Sequence, residues 1–114
     1  MVQVNHWCCS CAAHNTSVTL VSSSASAGLL AAIDIGSNSF RLEVGRVSSG
    51  RYRRHDYLKQ TVRLGAGLDD QSRLTEAAFE RGLATLGAFA VRLQGFDPTR
   101  IRAVATQTLR EARN

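Results

Sequence analysis

"AAIDIGSNSFRLEVGRV", residues 31–47, joins two apolar segments through a glycine and three small polar residues. The run 29–35 is apolar apart from Asp34, which suits a strand buried on both faces of an α/β layer structure, and Gly36 ends it. From Phe40 the chain alternates, with Phe40, Leu42, Val44 and Arg46 against Arg41, Glu43, Gly45 and Val47, and reads as a second strand. Gly36-Ser37-Asn38-Ser39 then closes a tight hairpin. It offers consecutive backbone N–H groups, two hydroxyls and an amide, with no bulky or acidic side chain to repel an anion, and such a turn can cradle a phosphoryl group. Asp34 would stand beside it, binding Mg²⁺ directly or through water, or orienting an attacking water. The same residues also suit an ordinary hairpin turn stabilised by an Asx-type bond. The hairpin alone leaves both readings open.

Outward from the hairpin, Ser48-Ser49-Gly50 makes a turn, and residues 51–63, "RYRRHDYLKQTVR", read as a third strand with one wet face. Residues 64–70 are too rich in glycine and carboxylates to continue it and form a loop. Thr75 is positioned as an N-cap with Glu76 in the first turn, where a carboxylate meets the positive end of the helix dipole. Phe79, Leu83, Leu86, Ala90 and Leu93 recur at helical spacing over about five turns, and Gly95 followed by Pro98 stops the helix. Gly82 and Gly87 inside it each cost up to ~1 kcal/mol relative to alanine, which predicts close packing on the sheet. Residues 100–105 alternate as another strand, and residues 106–114 begin a second helix. The order β-β-β-α-β-α specifies an α/β domain whose mixed sheet pairs a parallel crossover with an antiparallel meander and carries flanking helices.

All 14 basic and all 9 acidic residues of this 114-residue chain lie at or after Asp34, and every base but Lys59 is an arginine. The net charge of +5 favours an anionic partner. Residues 29–114 make one domain. Residues 1–28 read as a flexible low-complexity extension, or as an artefact of where the reading frame was started. Its Cys8, Cys9, Cys11, His6 and His14 are metal-ligand types, but the Cys-x-x-Cys spacing of Cys8 and Cys11 has no second such pair, and an odd cysteine count argues against a disulfide framework. Neither a basic secretory leader nor an Arg-rich transit sequence is present, and no apolar run approaches the ~18 residues of a membrane span, so a cytoplasmic location with no membrane partner is expected. Nucleic acid is disfavoured as a partner, because aromatic residues are sparse and Arg51, Arg53 and Arg54 form only a short cluster.

"AIDIGSNSFRLEV" resembles the first phosphate-binding hairpin of the Ppx/GppA family, the exopolyphosphatases and guanosine pentaphosphate phosphohydrolases. "LKQTVRLGAGL" (58–68), "FAVRLQGF" (89–96) and "ATQTLREARN" (105–114) resemble the same family in the same order. The resemblance implies an actin-like, ribonuclease-H-type fold. It implies release of terminal phosphate from inorganic polyphosphate or from pppGpp, with Mg²⁺ and a water activated by a glutamate. Carried onto this chain, Asp34 would serve the metal and water, and Gly36, Ser37, Asn38 and Ser39 the phosphate. Arg110 would reach into the catalytic cleft, where a guanidinium can clamp phosphate through two bonds. Lys59 and Arg63 either line the polyanion path or are solvated strand charges. Gln107 and Ala66 depart from the family's usual residues. Full-length members are expected to be homodimers.

The family's activating glutamate and its second, Gly-rich phosphate loop lie beyond "REARN", so these 114 residues are expected to be an incomplete domain that binds phosphate weakly and hydrolyses little. Among the possible activities, "LKQTVRL" and "FAVRLQGF" lean toward exopolyphosphatase. A pppGpp phosphohydrolase and a non-catalytic anion-binding product are the alternatives.

Overall fold

A computed structural model describes Val2, Gln3 and residues 28–114 of the chain. The cysteine cluster and most of the expected N-terminal extension lie outside the described residues. The elements are β1 (Val2–Gln3), β2 (Leu29–Ile35), β3 (Ser39–Ser48), β4 (Arg51–Thr61), α1 (Glu76–Arg92), β5 (Ile101–Ala105) and α2 (Gln107–Glu111). They build one mixed sheet in the order β1-β5-β2-β3-β4. β2 pairs antiparallel with β3 from Leu29 opposite Arg46 to Ile35 opposite Phe40, and parallel with β5 from Ala31 opposite Ile101 to Ile35 opposite Ala105. β1, which falls within the stretch expected to be an extension, pairs antiparallel with β5 through Val2–Ala105 and Gln3–Val104.

β3 and β4 form a long hairpin. Ser49 and Gly50 both take positive φ, 52° and 70°, the conformation of a two-residue turn that matches the twist of the strands it joins. The ladder shifts register between Val44 and Gly45, which face Asp56 and Arg54, so His55 is an extra residue in β4. β4 is the edge strand, and its exposure differs from the one wet face expected. Only Asp56 and Leu58 are partly covered, and both faces of the rest meet solvent. The strand also ends at Thr61, two residues early, because Val62 and Leu64 turn inward and are buried.

The core lies between the sheet and α1. Phe40 and Leu42 are 1% and 0% exposed, and Leu29, Ala31, Ile35, Val44, Val62, Leu64, Ala78 and Phe89 surround them. β2 was expected to be buried on both faces; instead Leu29, Ala31 and Ile35 are covered, while Leu30 and Ala32 are exposed. The reason is that, among the described residues, α1 covers one face of the sheet and no element covers the other.

α1 begins at Thr75 as expected, although the threonine hydroxyl makes no capping bond, and Gly95 (φ 80°) follows its end. The buried stripe of α1 matches the expected one only in part. Leu93 is buried and Leu86 partly buried as expected, but Ala78, Gly82, Thr85 and Phe89 face the sheet, whereas Phe79, Leu83 and Ala90 face out. Backbone proximity decides this. A Cβ at residue 82 would lie 3.5 Å from Leu64 and 3.7 Å from the Phe40 ring, so small residues at 78 and 82 let the helix settle close onto Phe40. Gly87 meets nothing within 4 Å and contributes no such contact. α2 stops at Glu111 rather than continuing to residue 114, and Asn114 turns back. Its Oδ1 accepts from the Leu74 N–H at 2.7 Å and its Nδ2 donates to the Leu74 carbonyl at 3.0 Å. No helix among the described residues is long and apolar enough to cross a membrane.

Candidate functional site

The bend between β2 and β3 is shorter than the expected four residues, because Ser39 already belongs to β3, opposite Thr61. The Gly36 N–H donates to the Ser39 carbonyl at 3.2 Å, and a Cβ at residue 36 would come within 2.6 Å of that oxygen. Glycine is therefore required by space. The bend turns its carbonyls toward the segment that leaves β4. The Asn38 carbonyl accepts from the N–H groups of Val62 (2.9 Å) and Arg63 (2.8 Å), and the Ser37 carbonyl accepts from Gly65 N–H (2.8 Å). In a trans peptide the carbonyl and the following N–H point in opposite directions. Anchoring the Ser37 carbonyl to Gly65 thus aims the Asn38 N–H away from that segment. Among the described residues the N–H groups of Ser37 and Asn38 have no acceptor.

The start of α2 completes the surround. Thr106 donates its N–H and its hydroxyl to the Ile35 carbonyl, at 3.1 and 3.2 Å, and the buried Thr108 hydroxyl donates to Ser37 Oγ at 2.7 Å. Ser37 Oγ keeps its own hydrogen to donate elsewhere. Gly65 sits where a Cβ would meet Thr108 Oγ1 at 3.2 Å and Ser37 Cβ at 3.4 Å. Three chain segments far apart in sequence therefore meet at one end of the sheet.

Arg63 is tied to the bend by its own N–H and holds a φ of 53°, a left-handed conformation that costs a non-glycine residue of order 1–3 kcal/mol. Its side chain is exposed beside the bend. Arg110 lies two residues past Thr108 on α2, exposed and with no hydrogen-bond or ion-pair partner among the described residues.

Asp34 sits on the uncovered face of the sheet. Cross-strand pairing sets Val104, Asp34, Arg41 and Lys59 in one row across β5, β2, β3 and β4. Asp34 Oδ2 accepts from Arg41 Nη1 at 3.4 Å, with the two side chains 37% and 50% exposed. In the next row Glu43 accepts from the Tyr52 hydroxyl and from Arg54 Nε at 3.3 Å. The Tyr52 hydroxyl holds the Glu43 carboxyl below its ordinary range, and the same bond pushes the Tyr52 phenol up. Arg54 also lies over the Tyr57 ring, 5.0 Å from its centre.

The sequence reading named Gly36, Ser37, Asn38, Ser39 and Asp34 together, and the structure sets the first three in the bend, Ser39 at the start of β3 and Asp34 two residues before Gly36, paired with Arg41. It missed Arg41 and Thr108. Arg41 was readable, since a hairpin closing at Ile35–Phe40 necessarily puts residue 34 opposite residue 41. Thr108 gave no signal, because its partner is 71 residues away. Among the described residues no group of three or more His, Cys, Asp or Glu forms a metal cage. One half-exposed carboxylate beside unpaired amides suits instead a cation such as Mg²⁺ that keeps most of its waters and arrives with phosphate oxygens.

A family model described as the Ppx/GppA phosphatase family matches residues 44–114. The matched span starts after the bend. The chain is 50% identical over 86 residues to the guanosine-5'-triphosphate,3'-diphosphate pyrophosphatase of Pseudoalteromonas atlantica, covering 75% of this chain and 17% of that protein. The crystallised Ppx/GppA enzyme of Aquifex aeolicus matches with a TM-score of 0.67 and 31% identity, over 75% of this chain and 29% of its own. An exopolyphosphatase from Cytophaga hutchinsonii matches with a TM-score of 0.68 and 30% identity, over 75% of this chain and 28% of its own. The chain thus spans less than a third of each relative's length.

Proposed function

The chain belongs to the Ppx/GppA phosphatase family, and from that premise we propose that it contributes the first phosphate-binding half of an exopolyphosphatase, an enzyme that releases terminal phosphate from inorganic polyphosphate. The observation that carries the reading is the bend. Its carbonyls are committed to residues 62–65, which leaves the N–H groups of Ser37 and Asn38 without an acceptor among the described residues. Fixed amide donors of this kind receive phosphoryl oxygens without reorganising during the reaction. The Ser37 hydroxyl, oriented by Thr108, adds a further donor.

In this reading Arg63, whose N–H is tied to the bend, and Arg110, two residues past Thr108, neutralise charge on the phosphoryl oxygens. Asp34 would hold Mg²⁺ through water, and the ion would supply charge neutralisation at the phosphate. Arg41 orients the Asp34 carboxylate. Lys59, two strands from Asp34 on the same open face, guides the polyanion. The proposal includes a cytoplasmic setting and a homodimeric full-length assembly.

A second reading, hydrolysis of pppGpp, is favoured by the activity for which the 50%-identical relative is named. Both substrates end in the same phosphoanhydride. In either case, among the described residues, the carboxylate closest in sequence to the bend, Asp34, is engaged by Arg41 at 3.4 Å rather than placed as a free base. Glu111, on α2, is exposed and accepts from Gln107 Nε2 at 2.7 Å. We therefore expect the 114-residue polypeptide to bind these anions and not to turn them over. Phosphate release measured with polyphosphate and with pppGpp in Mg²⁺ tests this. Sustained release from either substrate, lost in Asp34→Ala, would overturn the half-site account, and absence of any binding would overturn the phosphate assignment itself.

A further inference from the structure

The short arginine cluster of the sequence does not stay together in the fold. Strand alternation separates Arg54 from Arg51 and Arg53, and the extra residue His55 in β4 sets which face each takes relative to residues 56–61. Arg54 goes to the open face, where it pairs with Glu43 and lies over Tyr57. Arg51 and Arg53 go to the opposite face, where they join Arg46, the cross-strand partner of Arg53. Together with Leu29, Ser48 and His55 these arginines line an open concavity of about 550 Å³. Arg51 and Arg53 enter none of the ion pairs among the described residues. Asp56, the acidic residue next to His55 in β4, is engaged by Arg92 at 3.4 Å. Among the described residues no carboxylate lines the concavity.

The concavity lies at the far end of the β3–β4 hairpin from the bend. Phe40 to Arg46 spans roughly 20 Å at the usual rise per strand residue. A single phosphate group therefore occupies one place or the other, while a long anionic chain can engage both and gain from the second contact being intramolecular.

We infer that Arg46, Arg51 and Arg53 form a second anion site, separate from the phosphate-binding bend, that anchors the distal part of a polyphosphate chain. Guanidinium groups suit it because each can take two phosphate oxygens in a fixed fork. The composition of the site argues for an inorganic chain over single-stranded nucleic acid. The tyrosines of the hairpin, Tyr52 and Tyr57, face the other side of the sheet with Glu43 and Arg54, so among the described residues the concavity has no Tyr, Phe or Trp platform on which bases stack. The identity of the anion rests on the functional reading above, whereas the site itself rests on its own geometry.

The test is equilibrium binding of the 114-residue chain to long-chain polyphosphate and to a single-stranded oligonucleotide of matched charge, over a range of salt. The parent, the double variant Arg51→Ala/Arg53→Ala and the bend variant Gly36→Ala are compared, each first checked for a native circular dichroism spectrum. The double variant should lose about tenfold or more in polyphosphate affinity, and its salt slope should fall by roughly 0.7 for each arginine removed. Both positions are exposed near the hairpin tip, so the fold should be retained. Affinity within about twofold of the parent, with the slope unchanged, overturns the inference. If the oligonucleotide binds as tightly as polyphosphate and responds equally to the double variant, the assignment to polyphosphate is overturned in favour of nucleic acid. Loss in Gly36→Ala but not in the double variant removes the second site and leaves the bend reading standing. Loss in the double variant but not in Gly36→Ala does the reverse.

Discussion

Replacing Gly36 by alanine perturbs the bend through one added methyl group. Its carbon would lie 2.6 Å from the Ser39 carbonyl oxygen, about 0.8 Å inside the 3.4 Å at which ordinary contact begins. The oxygen is backbone, at the first residue of β3, and cannot swing aside as a flexible side chain would. Relief requires the 36–39 turn to open, which breaks the 3.2 Å Gly36 N–H to Ser39 bond and pulls on the carbonyls anchored to Val62, Arg63 and Gly65. Forced expansion of a packed site costs typically 1–3 kcal/mol. Alanine returns about 0.4–1 kcal/mol by restricting the unfolded chain. The net loss is about 1–2 kcal/mol, a fall of roughly 5–15 °C in Tm for a domain of this size. Thermal unfolding followed by circular dichroism measures it, and polyphosphate binding well below the transition reads the site. The reasoning predicts that both fall. An unchanged Tm would refute the steric argument, and a lowered Tm with intact binding would refute the claim that the bend is where phosphate sits.

Four other perturbations test separate parts of the structure. Gly87→Ala, at a helix position with nothing within 4 Å, should raise stability by about 0.5–1 kcal/mol in urea unfolding with the m value unchanged. Thr108→Val keeps the shape of a buried side chain and removes the donor to Ser37 Oγ, so it should cost about 1–2 kcal/mol in the same assay and weaken anion binding at the bend. Phe40→Ala empties the centre of the core and should cost about 3–5 kcal/mol, enough to unfold much of the population. The Tyr52–Glu43 bond lowers one pKa and raises the other. The Glu43 contribution is complete above the ordinary value of 4.5 and is lost as pH falls through the lowered folded-state value. That of Tyr52 is complete below 10.0 and is lost as pH rises through the raised value. The stability difference between parent and Tyr52→Phe should therefore be level between these limits and shrink beyond each, as measured by urea midpoints across pH.

Much of the fold is legible in local pattern. The hairpin of β2 and β3, the glycine that ends β2, the start of α1 at Thr75, the stop near Gly95 and β5 all follow from short-range chemistry that the sequence displays directly. The buried face of α1 does not. Counting large apolar residues points to Phe79 and Leu83, yet the helix turns Ala78 and Gly82 inward, because the gain comes from bringing the helix axis close to Phe40 and Leu64 rather than from burying the bulkiest side chains. Likewise, alternation cannot say how many faces of β2 are covered. That depends on where α1 lies and on what else packs against the sheet.

The candidate site divides along the same line. Gly36, Ser37 and Asn38 could be picked from their order, since a tight bend needs glycine and small polar residues, and Asp34 follows as the last polar residue of the strand. What makes the bend able to bind is decided elsewhere in the chain. Its amides are available because residues 62–65 take its carbonyls, and its serine is oriented because Thr108 arrives from the far side of β5. A turn of the same sequence with no segment beneath it would direct its peptide groups inward to each other and present fewer donors. The arginines behave similarly: alternation separates Arg54 from Arg51 and Arg53, but the unpaired residue at His55 sets which face each takes, which puts Arg54 beside Glu43 and Tyr57 on one side and the other two in an open basic concavity on the other. Because the bulge already absorbs His55, deleting that residue should close the ladder with Arg54 still opposite Gly45 and Arg53 still opposite Arg46, so polyphosphate binding should keep its distal contact, and the bend, which is held from below by residues 62–65, should bind a short anion as before.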